Sequence, residues 1–327
     1  MTLISPLDQT DLDLYCSLKG LSDLSPAQVR QHAPDALLMW RDQDRLLARA
    51  SLWWKRVPEL PDEQVGLIGH YAAYDSHAAT TVLGEACRTL AVQGCSVAIG
   101  PMDGSTWRRY RLLSERGAAP PFFLEPDNPD DWPLHFEAAG FHALAQYFSS
   151  INEDNAHCKD RSALTERLAQ RGYVLRALAG QDLEAELRRL WQLTSAAFRD
   201  NFLYVPIDEA EFLAMYTPLL AKLSPDLVVI VELRGEPVAF CLAVPDLLQA
   251  GRGEPVDTVI VKSIAVLPAH QGKGLAAAML TRINQTARTL GMHRTIHALM
   301  HEANASRKLD GALMRDFRRY TLYARAL

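Results

Sequence analysis

Cysteine is scarce: there are five in 327 residues, at positions 16, 87, 95, 158 and 241. Their spacing makes neither a disulfide framework nor a zinc-ligand pattern. No apolar run reaches membrane-spanning length, and the N-terminal stretch "MTLISPLDQTDLDLYC" has no signal-peptide pattern. The expected compartment is therefore a reduced cytoplasm, with no membrane partner. Excess positive charge is missing as well. The net charge of −5 gives no general attraction to nucleic acid, and the basic cluster "MRDFRRY" is short. No nucleic-acid partner is expected.

What the chain does have is apolar material, 48% of its residues, over a length greater than one core usually organises. Two apolar-rich halves flank the polar stretch "NEDNAHCKDRSALTERLAQR", residues 152–171, in which "LTERLAQ" could itself form a short helix. Two domains are expected, 1–155 and 170–327. In the second, "YVLRAL" reads as a strand. "DLEAELRRLWQLTSAAF" reads as a helix with Leu183, Leu187, Leu190 and Trp191 apolar. Asp208 followed by Glu211 resembles a capping box opening a second helix. "DLVVIVEL" and "PVAFCLAV", joined by "RGE", predict a hairpin. "DTVIVKSIAV" and "HRTIHALM" predict strands on either side of a helix that Gly291 stops. The tail "FRRYTLYARAL" reads as β. The first half shows the same order more weakly: a hairpin from "DALLMWRD" and "RLLARASLWW", a strand "VGLIGHYAAY", a helix "HAATTVLGEACRTLAVQ" stopped by Gly94, and a strand "SVAIGPM". The recurrence suggests a duplicated fold.

The sharpest local feature is "HQGKGLAAAML", residues 270–280. Gly272 and Gly274 lack Cβ atoms, so the backbone can bend and approach a ligand. The helix that follows presents unpaired N–H groups and the positive end of its dipole. Leu275, Met279, Ile283, Ala287 and Leu290 form an apolar stripe that docks this helix. Together these make an anion site suited to phosphate or pyrophosphate. The Gly-Lys-Ser/Thr ending of a Walker loop is absent. So is the third glycine of a dinucleotide fingerprint, because position 277 is Ala.

"VKSIAVLPAHQGKGLAAAML" resembles the acetyl-CoA loop of the GCN5-related N-acetyltransferases, the GNAT superfamily. The family signature is Gln/Arg-x-x-Gly-x-Gly/Ala, here Gln271, Gly272, Lys273, Gly274, Leu275 and Ala276. The resemblance covers about residues 170–327. It implies an α+β fold class of two tandem GNAT-like domains, each a mixed central sheet flanked by helices. It also implies acetyl-CoA as co-substrate, with the loop amides on its pyrophosphate. Ile264, Ala265 and Val266 would pair with its pantetheine arm, and Asn304 would touch that arm. Arg307 would reach a CoA phosphate or be a solvated helix arginine. The implied reaction is direct acetyl transfer from the thioester to a small amine, with a backbone N–H near Val266 stabilising the acetyl oxygen. An alkyl amine has a pKa near ~10, so it needs a base or a water chain.

The chain departs from the family where catalysis is concerned. Gly311 stands where many members carry a tyrosine acid, and "TVIVKSIAV" has no carboxylate in its interior. The remaining candidates are Asp200 for the amine, His297 or His301 as acid or base, and Tyr320 or Tyr323 as acid. His293, His297 and His301 have even separations, so on a strand they would share one side. No metal site is expected from them. Arg199, Asn201 and Tyr204 accompany Asp200 in "FRDNFLYVPIDEAEF", the family's acceptor-covering segment. The N-terminal half reads as degenerate. Its junction "AAYDSHAATT" lacks glycine and places Asp75 where pyrophosphate would sit. "HFEAAGF", with Phe136, Gly140 and Phe141, resembles the end of the family's last motif. "GPMDGSTWRRYR" is either a plain strand with a core tryptophan, or a set of residues (Trp107, Arg108, Arg109 and Arg111) for an acidic or aromatic acceptor group. Two further functional readings stay open: a non-catalytic acyl-CoA-binding regulatory or interaction protein, and a peptide or protein N-acetyltransferase.

Overall fold

The computed structural model describes residues 2–4, 9–18, 24–43, 45–158, 161–179, 182–220, 223–304 and 313–327. The first half runs β1 (Thr2–Ile4), α1 (Gln9–Cys16), α2 (Pro26–His32), β2 (Ala36–Asp42), β3 (Arg45–Trp53), β4 (Val65–Ala73), α3 (Ser76–Val92), β5 (Val97–Gly100), β6 (Leu112–Glu115), α4 (Trp132–Ala138) and β7 (His142–Asn152). The second runs α5 (Ser162–Gln170), β8 (Tyr173–Ala177), α6 (Leu183–Ala197), α7 (Glu209–Leu220), β9 (Val228–Leu233), β10 (Glu236–Pro245), α8 (Leu247–Gly251), β11 (Thr258–Val266), α9 (Leu275–Thr289), β12 (Arg294–His301) and β13 (Arg315–Ala326).

The two halves repeat one design. β2–β3–β4 and β9–β10–β11 are antiparallel meanders. A helix then crosses back to a parallel strand, α3 to β5 and α9 to β12. The last strands are exchanged: β7 pairs with β12 of the second half, while β13 pairs with β5 of the first. β7 and β13 also pair with each other. A single sheet results, in the order β1-β2-β3-β4-β5-β13-β7-β12-β11-β10-β9-β8, with β6 on β13.

In the second half, helices cover both faces of the sheet. One face packs on α6 and α7 through Leu187, Leu190, Phe212, Ile260, Ala265 and Ile296. The other packs on α9 through Val259, Val261, Leu275, Met279 and Ile283. The expected α9 stripe is buried from Leu275 to Ala287, but Leu290, the residue after the helix, is 49% exposed. Asp208 caps α7 by accepting from the Glu211 N–H at 2.8 Å. The reciprocal half of the capping box is missing, because the Glu211 carboxylate turns to Arg108 at 2.6 Å.

The stretch "GPMDGSTWRRYR" is not a strand. It is a loop closed by the isolated bridge Met102↔Tyr110. Trp107 leaves its own half and packs on Phe198, Tyr204 and Phe212 of the other, donating from Nε1 to Val205 O at 2.9 Å.

Candidate active site

The site begins where β11 and β12 part. They pair from Thr258↔Arg294 to Val261↔His297, and beyond that point β11 runs on to Val266 and β12 to His301 without pairing. The cause is local. Opposite Leu242 and Ala243 of β10 lie Ser263 and Val261, so Lys262 is the extra residue of a β-bulge. A bulge bends its strand and leaves a residue outside the ladder. It also resets the alternation of faces: Ile260 and Ala265, five positions apart, both pack on the α6–α7 side. Lys262 and Ser263 therefore both open toward that side, and the Tyr216 hydroxyl of α7 bonds the Ser263 side chain.

The glycine turn lies beyond the end of β11. Gly272 and Gly274 have φ of 73° and 88°, in the left-handed region that glycine adopts without strain. Gly274 is the N-cap of α9 and no side chain caps this helix. From Gly272 to Ala277 the backbone N–H groups have no acceptor among the described residues. The turn is held from outside: Gln271 Nε2 donates to Val266 O at 3.3 Å, Lys273 Nζ to Ala269 O at 2.8 Å, and the Tyr173 hydroxyl bonds His270 Nδ1 at 2.9 Å. Open amides, helix dipole and an exposed lysine fit a pyrophosphate. A shallow surface depression lined by Asp226, Arg282, Gln285 and Thr289 among others lies toward the opposite end of α9.

The first half has the same parting, but it is filled. β4 and β5 pair only from Val65↔Val97 to Leu67↔Ile99. A bulge near His70, whose φ is 44°, bends β4. The following loop then occupies the gap: Met102 N–H donates to Ile68 O at 2.8 Å, and the buried Asp103 carboxylate accepts from His70 N–H at 2.6 Å. Gly69 is required here, because a Cβ would meet Met102 O at 2.2 Å. At the N-terminus of α3, the Asp75 carboxylate accepts from Ala78 N–H at 2.8 Å. Both subsites that are open in the second half are satisfied from within in the first.

Around this plug, His32 Nδ1 and His70 Nε2 hydrogen-bond each other at 2.7 Å, and His70 Nδ1 bonds Ser51 Oγ at 2.8 Å. Burial lowers the pKa of His32 to about 4 and of His70 to about 3, helped by nearby arginines. His32, His70 and Asp103 bring three metal-ligating atoms within 4.8 Å of one another, a grouping that sequence spacing does not reveal.

The sequence-derived acid and base candidates scatter. The three histidines do not share a face. Opposite His297 is Ser150 and opposite His301 is Tyr147, so four steps on β12 match three on β7. The surplus residue is accommodated near Leu299, at φ 61°, and it inverts the strand. His297 pairs with Val261, which faces α9, and is 5% exposed. His301 faces the other way, its ring 5.1 Å from Tyr147 and 5.5 Å from Phe202. His293 precedes the strand, its Nε2 3.7 Å from Asp257. Tyr320 is fully buried. Its hydroxyl donates to Glu125 Oε1 at 2.5 Å and lies 3.1 Å from Ser149 Oγ. Burial and the Glu125 carboxylate hold its pKa well above 10, so it is a core residue rather than an acid. Tyr323 is core as well, packed on Phe136. Asp200 is exposed in the α6–α7 loop, and Asn304 is exposed in the turn after β12. Arg307 and Gly311 lie outside the described residues.

What sequence reading missed stands in the cleft. Lys262 is half-buried, and burial together with the charge of Arg111 lowers its pKa to about 8. The signal was present as a charged residue inside an apolar strand, "TVIVKSIAV". Arg111 also lowers the pKa of His301, after burial, which contributes most.

Known proteins resemble this chain in sequence and in fold. Residues 187–309 match the family model of the Acetyltransferase (GNAT) family. Over that stretch the chain is similar to the GNAT acetyltransferases. Across its whole length it shares a fold with a GCN5-related N-acetyltransferase of Anabaena variabilis, at a TM-score of 0.56 and 8% identity, covering 99% of this chain and 72% of that one. Eis1 of Mycobacterium abscessus superposes at 0.51 with 10% identity, covering 100% and 74%. The glucosamine N-acetyltransferase region of a fungal multi-domain β-N-acetylglucosaminidase superposes at 0.56 with 13% identity, covering 99% of this chain and 38% of that one. In sequence, Protein YghO of Escherichia coli K12 is 24% identical over 190 residues, 56% of this chain. The match covers 48% of YghO, so the chain spans about half the length of this curated relative. No helix among the described residues is long and apolar enough to cross a membrane.

Proposed function

We propose that this chain is a tandem GNAT protein whose second half binds acetyl-CoA and transfers the acetyl group directly to a small amine. One observation carries the reading: the cleft and helix N-terminus are open in the second half and plugged in the first. Gln271 to Ala276 would hold the pyrophosphate, and the unpaired edge of β11 at Ile264, Ala265 and Val266 would hold the pantetheine arm as an added strand. The thioester supplies an activated acetyl group. The chain supplies position, a backbone N–H for the negative charge developing on the acetyl oxygen, and a base.

Lys262 is the base. It sits in the bulge at the mouth of the cleft, and a pKa of about 8 leaves part of it neutral near pH 7.5. As the N–C bond forms and the thioester C–S bond breaks, the neutral Lys262 amine takes the proton that the acceptor nitrogen loses, and CoA leaves as its thiolate, which is protonated from solvent. The Trp107 side chain, locked onto Val205 O and the Phe212 ring, covers the acceptor side, which favours a small molecule over a protein chain.

The test is thiol release from acetyl-CoA across an amine panel as a function of pH. Lys262 acts when deprotonated, so kcat/KM should rise through an apparent pKa near 8. Lys262→Met should lower it by about 10²- to 10⁴-fold and remove that rise. A variant that kept both rate and pH profile would exclude Lys262 as the base, and a folded protein with no turnover on any amine would count against the enzyme reading.

A further inference from the structure

Arg111 comes from the first half of the chain but stands at the acceptor side of the second half's cleft. It is 7% exposed. Its guanidinium is sandwiched between Tyr110, 3.9 Å from the ring centre, and Tyr147, at 4.2 Å. Nη1 reaches Leu299 O at a long 3.5 Å, just past the bulge of β12. Nε is buried without an acceptor. No carboxylate lies in salt-bridge contact with Arg111 among the described residues. Its neighbours are cationic or titratable bases, Lys262 and His301.

Two other inward-facing arginines are paired with carboxylates. Arg318, equally buried, has Glu125 at 2.9 Å, and Arg108 has Glu211 at 2.6 Å. An unpaired buried charge is costly, of the order of several kcal/mol. Here that cost is concentrated in the cleft, where two cations face each other. Acetyl-CoA does not relieve it. The thioester is neutral, and its phosphates would sit at the α9 N-terminus. Lys262 lies four residues before the end of β11, roughly 13 Å along the strand, and the turn lies beyond that end. The compensating negative charge must therefore arrive with the acceptor.

We infer that the acceptor is an amine that also bears a carboxylate, an amino acid or a close analogue, and that Arg111 binds that carboxylate through its free Nε/Nη2 edge. The inference rests on the acyl-transfer reading, which defines which side of the cleft is the acceptor's. A guanidinium edge matches a carboxylate with two parallel hydrogen bonds, and aromatic stacking above and below holds the fork planar. The same charge disfavours a protonated amine in the cleft, so the acceptor nitrogen is bound closer to its nucleophilic free-base form.

The test uses binding, so that it does not depend on turnover. An N-acetylated amino acid and the neutral N-acetylated amine of the same side chain are titrated into wild type, Arg111→Gln and Arg111→Lys. The expected result is a preference of at least tenfold for the carboxylate compound in wild type, abolished in Arg111→Gln and partly kept in Arg111→Lys. Acetyl-CoA affinity should be unchanged in all three. Arg111→Gln should also raise the melting temperature of the unliganded protein, because it removes a buried uncompensated charge; a purely structural arginine would give the opposite sign. Equal or absent binding of both compounds in wild type, or a preference that survives in Arg111→Gln, overturns the inference. If acetyl-CoA binds and neutral amines turn over as well as amino acids, the carboxylate assignment falls while the acetyltransferase reading stands.

Discussion

At the scale of single residues, chemistry and structure are carried by different groups. Lys262 and Arg111 face the cleft with no carboxylate in salt-bridge contact among the described residues, whereas Tyr320, Glu125, Arg318 and Ser149 form a closed buried network. Arg318 and Glu125 are both fully buried, so removing one strands the other. Glu125→Ala should destabilise the protein by about 3–5 kcal/mol, measured by denaturant unfolding, with acetyl-CoA affinity intact in the folded fraction. Full stability in that variant would mean that Arg318 finds another partner. The plug histidines make a pH prediction. Their folded pKa values are depressed from 6.5 to about 4 and about 3, so the unfolded chain binds protons that the folded chain does not. Stability should therefore be full above pH 6.5 and fall as pH drops from 6.5 toward 4. Melting temperature against pH checks this, and His70→Asn should flatten the slope. An unchanged slope would place the acid sensitivity elsewhere.

At the scale of elements, most of the architecture can be read from the letters. Alternating apolar runs, Gly94 and Gly291 as helix stops, and the glycine turn before α9 are local signals of local structure. Bulges are not. Nothing in "TVIVKSIAV" says that Lys262 is the surplus residue, and nothing in "RTIHALMH" says that Leu299 takes a positive φ and turns His301 away from His297. Those two dislocations come from pairing with β10 and β7, which is tertiary information. They decide which side chains enter the cleft. The same holds for Trp107 and Arg111, whose role depends on a partner more than ninety residues away in one case and on strands of the other half in the second. At the α3 N-terminus, removing the cap should not create a second cofactor site, because the Met102–Asp103 loop still fills the gap. Asp75→Ala should cost about 0.5–2 kcal/mol and leave the acetyl-CoA stoichiometry as it is in wild type. A second site in that variant would show that the cap alone keeps the first half empty.

At the scale of the whole molecule, the exchanged strands make the two halves interdependent. β13 closes the sheet of the first half and β7 that of the second, so neither half retains its last strand if the chain is cut between them. Unfolding should be a single cooperative transition, with calorimetric and van't Hoff enthalpies in agreement; two separable transitions would show that the strand exchange does not couple the halves. The exchange also explains why a plugged half is kept. It packs Trp107 and Arg111 against the other half and adds β7 to its sheet. The central claim is that one cleft is open and its twin is filled by the chain itself. Calorimetric titration of acetyl-CoA into wild type and Gly274→Glu tests it most directly. The account predicts one site per chain, lost when a carboxylate is placed at the helix N-terminus. Two sites in wild type, or one that survives in Gly274→Glu, would contradict it.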